Sequence, residues 1–111
     1  MNLRKRQAEH ARRISVLILY ANELGYDVTL GDAYRDSRCP YGSPTSKHRM
    51  RLASDLNLFW DGEYLEDTES HRVLGEAWEA MGGEWGGRFE TTTDINGNIL
   101  PGSDGNHYAT P

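Results

Sequence analysis

Two short clusters of side chains that can hold a metal, far apart in sequence, constrain this chain more than any other feature. Ser46-x-His48 with Asp55 forms the first, and Asp104-x-x-His107 the second. A fold that uses both must return the C-terminal segment to the middle of the chain. Imidazole nitrogen and carboxylate oxygen bind zinc at about 2 Å, and catalytic sites use three protein ligands with the fourth position left to water. His48, Asp55 and His107 make such a two-histidine, one-carboxylate set. As a straight strand, the step from His48 to Asp55 spans roughly 23 Å between Cα atoms, too far to share one ion. As a helix it rises roughly 10 Å, at the limit of both side chains. The chain is therefore expected to turn between them, with Asp55 on a strand and His48 in the loop that enters it.

The residues around Asp55 agree. Leu52, Leu56, Leu58 and Trp60 alternate with Ala53, Asp55, Asn57 and Phe59, giving one apolar and one mixed face. Asp55 lies on the mixed face, where a site can open, and Asp61-Gly62 suits a tight hairpin turn. Asp104 can be a ligand, or can stand beside a water on the ion and take its proton. We assign His107 to the metal and Asp104 to the base.

Ser-x-His-x6-Asp followed by Asp-x-x-His resembles the M15 zinc peptidases, which cleave bonds in peptidoglycan stem peptides. The resemblance runs from about Gly31 to Tyr108 and takes in Tyr34-Arg35, Ser46-x-His48, Ala53-x-Asp55, Trp85-Gly86-Gly87 and Asp104-x-x-His107. It implies one catalytic zinc ion held by His48, Asp55 and His107, Asp104 as the base, and Arg35 as the cation that steadies the negative oxygen forming on the attacked carbonyl. Ser46 and Trp85 are carried as substrate contacts. The pattern departs from the family at Arg51, where glycine is common, and at His107-Tyr108-Ala109, where His-Phe-Glu is common. The short length and the Trp-Gly-Gly segment favour the bacteriophage endolysin branch, an L-Ala-D-Glu endopeptidase acting in host lysis. The alternatives are a D-Ala-D-Ala carboxypeptidase or dipeptidase, for which Arg49 or Arg51 would hold the substrate carboxylate, and a non-catalytic zinc-containing module that binds the cell wall.

At 111 residues the chain is expected to be one α+β domain over residues 1–111. An N-terminal helix over about 3–24 precedes a catalytic core over about 26–108, with an antiparallel sheet, flanking helices and the zinc site at the sheet/loop cleft. The composition, 37% apolar and 26% charged, is that of a globular protein rather than a disordered one. No apolar run reaches the ~20 residues of a membrane span. The basic start resembles the first part of a secretory signal, but the apolar segment begins late and no small-residue cleavage site follows it cleanly, so none is expected. The expectation is synthesis in a host cytoplasm and action on the cell wall in the periplasm, by a release route this chain does not encode. The expected partner is a peptidoglycan stem peptide, with no nucleic acid, for a monomer. Cys39 is the single cysteine, so no internal disulfide can form, and its loop setting makes it structural or incidental. Residues 1–13 carry five cations against Glu9, a local +4, leaving −9 for the remainder. We read the basic arm as a solvated helix face.

Along the chain, Ile14, Leu17, Ile18, Ala21 and Leu24 line one face of the first helix, and Gly25 follows as a left-handed cap. Arg4 to Arg6 oppose the helix dipole, so the first turn is expected to fray. His10 is expected at the surface. A strand over Tyr26 to Tyr34 would fix Arg35 at its end, and residues 36–47 form a loop along one wall of the cleft. A second helix is predicted from Thr68, its N-cap, to Met81, with Gly82-Gly83 ending it. His71, near its start, is expected at the surface or in a cap. A strand is expected over Glu84 to Thr93, with Trp85 and Phe89 in core or cleft packing. Asp94 to Asn98 is a hairpin turn around Asn96-Gly97, not a calcium loop, because glycine stands at Gly105 where the bidentate glutamate belongs. His107-Tyr108 closes the last strand.

Overall fold

The computed structural model describes residues 2–31, 51–93 and 96–111. Arg35, Cys39, Ser46 and His48, and the loop expected around them, lie outside the described residues.

The first helix, α1, runs Leu3–Leu24, and Gly25 closes it with φ 103°, a left-handed conformation that costs glycine little. The Asn2 side chain accepts a hydrogen bond from Lys5 N at 2.9 Å. That cap satisfies an end amide and offsets the unfavourable placement of Arg4 to Arg6. His10, Ile14, Leu17 and Ala21 form the buried face.

Strand β1 (Asp27–Leu30) is shorter than the strand expected over 26–34 within the described residues. It pairs antiparallel with β2 (Ala53–Trp60), Val28 opposite Leu58 and Leu30 opposite Leu56. Asp61 and Gly62 both take positive φ, 50° and 83°, the turn that matches strand twist, and β3 (Glu63–Leu65) returns along β2. The last strand, β7 (His107–Ala109), pairs with the first half of β2, and β4 (Glu84–Trp85) pairs with β7. The main sheet thus has the order β1-β2-β7-β4, with β3 beside β2.

The second helix begins as a 3-10 turn over Glu69–His71 and continues as α2, Arg72–Ala80. Thr68 is not its cap: its backbone is already helical, and its hydroxyl meets Ser103 Oγ at 2.6 Å. Asp67 does the capping, accepting from Ser70 N at 3.2 Å and from Ser70 Oγ at 2.6 Å. Gly83 N donates to Trp78 O at 2.9 Å and ends the helix where expected. The single strand expected over 84–93 is broken by a 3-10 turn at Gly86–Arg88; β5 (Thr91–Thr93) then forms a separate hairpin with β6 (Ile99–Pro101).

Both helices cover one face of the sheet. Leu17, Ala21, Leu56, Leu58, Leu74, Trp78, Trp85 and Tyr108 make the core between them. Burying a large side chain of this kind contributes about 1.5–3 kcal/mol. Trp78 also donates its indole N–H to Ala109 O at 2.9 Å, tying α2 to β7. The fold is the α+β arrangement expected, an antiparallel sheet with flanking helices. Among the described residues, no helix is long and apolar enough to cross a membrane.

Candidate metal centre

Side chains directly opposite each other in an antiparallel pair share a face. The β2–β7 register puts His107 opposite Asp55, on the face of β2 away from Leu56 and Leu58. His107 Nδ1 lies 3.6 Å from Asp55 Oδ1, and that oxygen is buried. Leu56 N donates to Asn106 O at 2.9 Å and Thr110 N to Leu52 O at 2.7 Å, so the register is held at both ends of β7.

Asp104 reaches the same point through a turn. His107 N donates to Asp104 O at 3.1 Å, closing a four-residue loop, and Asp104 N donates to Gly86 O at 3.0 Å. Close approach requires glycine at two positions. A Cβ on Gly86 would meet Asp104 O at 2.1 Å, and one on Gly105 would meet the Thr68 Cα at 2.7 Å. The potential ligand atoms of Asp55, Asp104 and His107 lie within 4.8 Å of one another, all three residues half-buried.

That donor set fits a divalent cation. Two carboxylates and an imidazole offer hard and borderline donors, and ligands of a tetrahedral zinc ion stand about 3.3 Å apart for bonds of about 2 Å. Of the ligands expected from sequence, Asp55 and His107 come together, and Asp104 stands with them. Arg35, Ser46 and His48 are outside the described residues.

Trp85, expected to touch substrate, is 1% exposed. Its ring lies so close to α2 that a Cβ on Gly75 would meet it at 2.1 Å, and Arg72 and Arg88 pack over it at 5.8 and 5.2 Å. Its indole N–H donates to Gly105 O at 2.7 Å. Trp85 thus lies beneath the Asp104–His107 turn, tied to it by that bond.

Two histidines expected at the surface are also corrected. His10 is buried, hydrogen-bonding through Nδ1 with Thr110 Oγ1 at 2.7 Å and through Nε2 with Ser54 Oγ at 3.0 Å. It joins α1 to β2 and β7 on the helix-covered side, behind Asp55. His71 is buried as well, its Nδ1 2.8 Å from the Tyr108 hydroxyl. Burial pushes its pKa down to about 4 against the opposing pull of Asp67 and a backbone bond, and burial pushes the Tyr108 phenol up. Sequence patterning could have flagged His10, which falls in step with Ile14, Leu17 and Ala21 on the buried face. No local signal marks His71.

An α+β domain with a half-buried Asp–Asp–His cluster on the face of its sheet opposite the helices has the donor set of a metal-dependent hydrolase. This chain belongs to the M15 zinc-peptidase family: residues 41–96 match the family described as D-alanyl-D-alanine carboxypeptidase. The matched span contains His48 and Asp55 and ends before Asp104 and His107; strand pairing sets His107 opposite Asp55. No curated protein matches the chain.

Proposed function

We propose that this protein is a zinc-dependent peptidase of bacterial peptidoglycan stem peptides, and that the bond it cuts is D-Ala-D-Ala. The convergence of Asp55, Asp104 and His107 carries the hydrolytic reading. The description of the matched family favours the carboxypeptidase bond. The second reading, an L-Ala-D-Glu endopeptidase acting as a phage endolysin at the host cell wall, is supported by the Trp85-Gly86-Gly87 segment.

In this proposal His48, Asp55 and His107 hold the ion. Zinc, when bound, supplies a water acidified to near neutral pH and a cation facing the attacked carbonyl. Asp104 accepts the proton of the attacking water as its oxygen bonds to the carbonyl carbon, then delivers a proton to the leaving amine as the C–N bond breaks. Arg35 steadies the negative charge on the carbonyl oxygen, and Ser46 orients the peptide.

The test is incubation of zinc-loaded protein with a stem pentapeptide and with whole sacculi, with and without chelator, followed by mass spectrometry. Free D-Ala that stops on chelation and returns with zinc supports the carboxypeptidase. New N-termini at D-Glu replace it with the endopeptidase. Wall binding without any cleavage by folded, zinc-loaded protein overturns both in favour of a binding module.

A further inference from the structure

A large aromatic ring stands in the open beside the candidate metal centre. Phe89 is 39% exposed, and its ring centroid lies 5.4 Å from that of His107 at an interplanar angle of 50°. It is not loosely placed. Phe89 N donates to Gly86 O at 3.1 Å, and the same carbonyl accepts from Asp104 N at 3.0 Å. One backbone oxygen thus fixes the aromatic residue and the proposed base relative to each other. Core packing does not account for a phenyl ring left two-fifths exposed against a polar cluster, since leaving such area in water forgoes about 25 cal/mol per Å². A ligand that covers the ring recovers it.

We propose that Phe89 forms the wall of a subsite for the methyl group of the alanyl residue on the acyl side of the cut bond. The inference rests on the peptidase reading above, and the alanyl residue meant is the acyl-side D-Ala of D-Ala-D-Ala; L-Ala-D-Glu also places alanine there, but with the opposite configuration, so its methyl group leaves the same backbone path in another direction. A phenyl face gives a methyl group apolar contact and gives glycine none. Trp85, by contrast, is buried beneath the turn.

The test compares stem peptides with alanine or glycine at the acyl-side position, in the wild type, Phe89→Ala and Phe89→Leu, reading kcat/KM, peptide Kd and zinc affinity. The wild type should favour alanine by roughly four- to tenfold, the lower end of what one methyl group gains in an apolar pocket, since Phe89 is a single wall. Phe89→Ala should lower that preference to within about twofold, with zinc affinity unchanged, and Phe89→Leu should keep most of it. An undiminished preference in Phe89→Ala overturns the subsite. So does an equal loss on both peptides accompanied by weaker zinc binding, which would make Phe89 a prop for His107. Binding of the alanyl peptide without cleavage, weakened in Phe89→Ala, keeps the subsite and removes the peptidase reading. If the wild type neither binds nor cuts either peptide, both fall.

Discussion

His107 stands directly across the β2–β7 pairing from Asp55, with Nδ1 3.6 Å from Oδ1. Strand register puts the two side chains on one face, within reach of each other. A slip of one residue would turn His107 toward the helices and leave Asp55 facing a tyrosine or an asparagine.

The first prediction separates ligands from base. His107→Ala and Asp55→Ala should each weaken zinc binding by roughly 100-fold or more, since in the proposal each removes a direct ligand where loss of a supporting group already costs 10- to 100-fold. Asp104→Asn should keep zinc and lower kcat by about 10²- to 10⁴-fold. Calorimetric zinc titration beside kinetics decides it; an Asp104→Asn protein as zinc-poor as His107→Ala would make Asp104 a ligand.

Gly86→Ala should damage the site more than its size suggests. The added methyl would lie 2.1 Å from Asp104 O and 2.8 Å from His107 Cβ, so backbone must move. A destabilisation of about 1–3 kcal/mol is expected, with zinc affinity falling alongside. Thermal unfolding of the metal-free protein and zinc titration read the two effects separately.

Trp85→Phe keeps an apolar ring in the core and removes the bond to Gly105 O. The carbonyl loses a buried partner, which costs about 1–3 kcal/mol. If Trp85 supports the Asp104–His107 turn, hydrogen exchange should quicken over residues 104–107 before it does over β1. Uniform quickening across the domain would assign Trp85 to the core alone.

Stability should depend on pH through His71. Its folded pKa, about 4, lies below the ordinary value of 6.5, so between the two the unfolded chain binds the extra proton. The contribution is fully present above about pH 6.5, declines as pH falls toward 4 and levels off below, amounting to about 3 kcal/mol. Urea midpoints of metal-free protein at pH 7.5, 5.5 and 4 measure it. His71→Gln should flatten the decline, and an unchanged slope would assign it to other groups.

Much of the local structure is legible in the residues. The spacing of Ile14, Leu17 and Ala21 with Gly25 gives α1 its length and end, because a helix needs only local hydrogen bonds and one apolar stripe. Asp61-Gly62 gives the β2–β3 turn for the same kind of reason, both residues sitting at positive φ. Alternation along 52–60 correctly puts Asp55 on the mixed face. The break at Gly86–Arg88 escapes such reasoning, because its cause is the approach of Asp104 to Gly86 from far along the chain. Asp67 takes the cap because Thr68 is drawn to Ser103.

By itself, then, the sequence determined the amphipathic helices, the turn positions and the inventory of groups able to hold a metal, since each follows from backbone preference or side-chain chemistry within a few residues. Only the tertiary structure decided that Asp55, Asp104 and His107 meet, that Trp85 lies beneath the site while Phe89 stands beside it, and that His10 and His71 are buried. Those outcomes depend on which strand pairs with β2 and in which register, and that pairing is set by the shared burial of Leu56, Leu58, Trp78 and Tyr108 across distant segments.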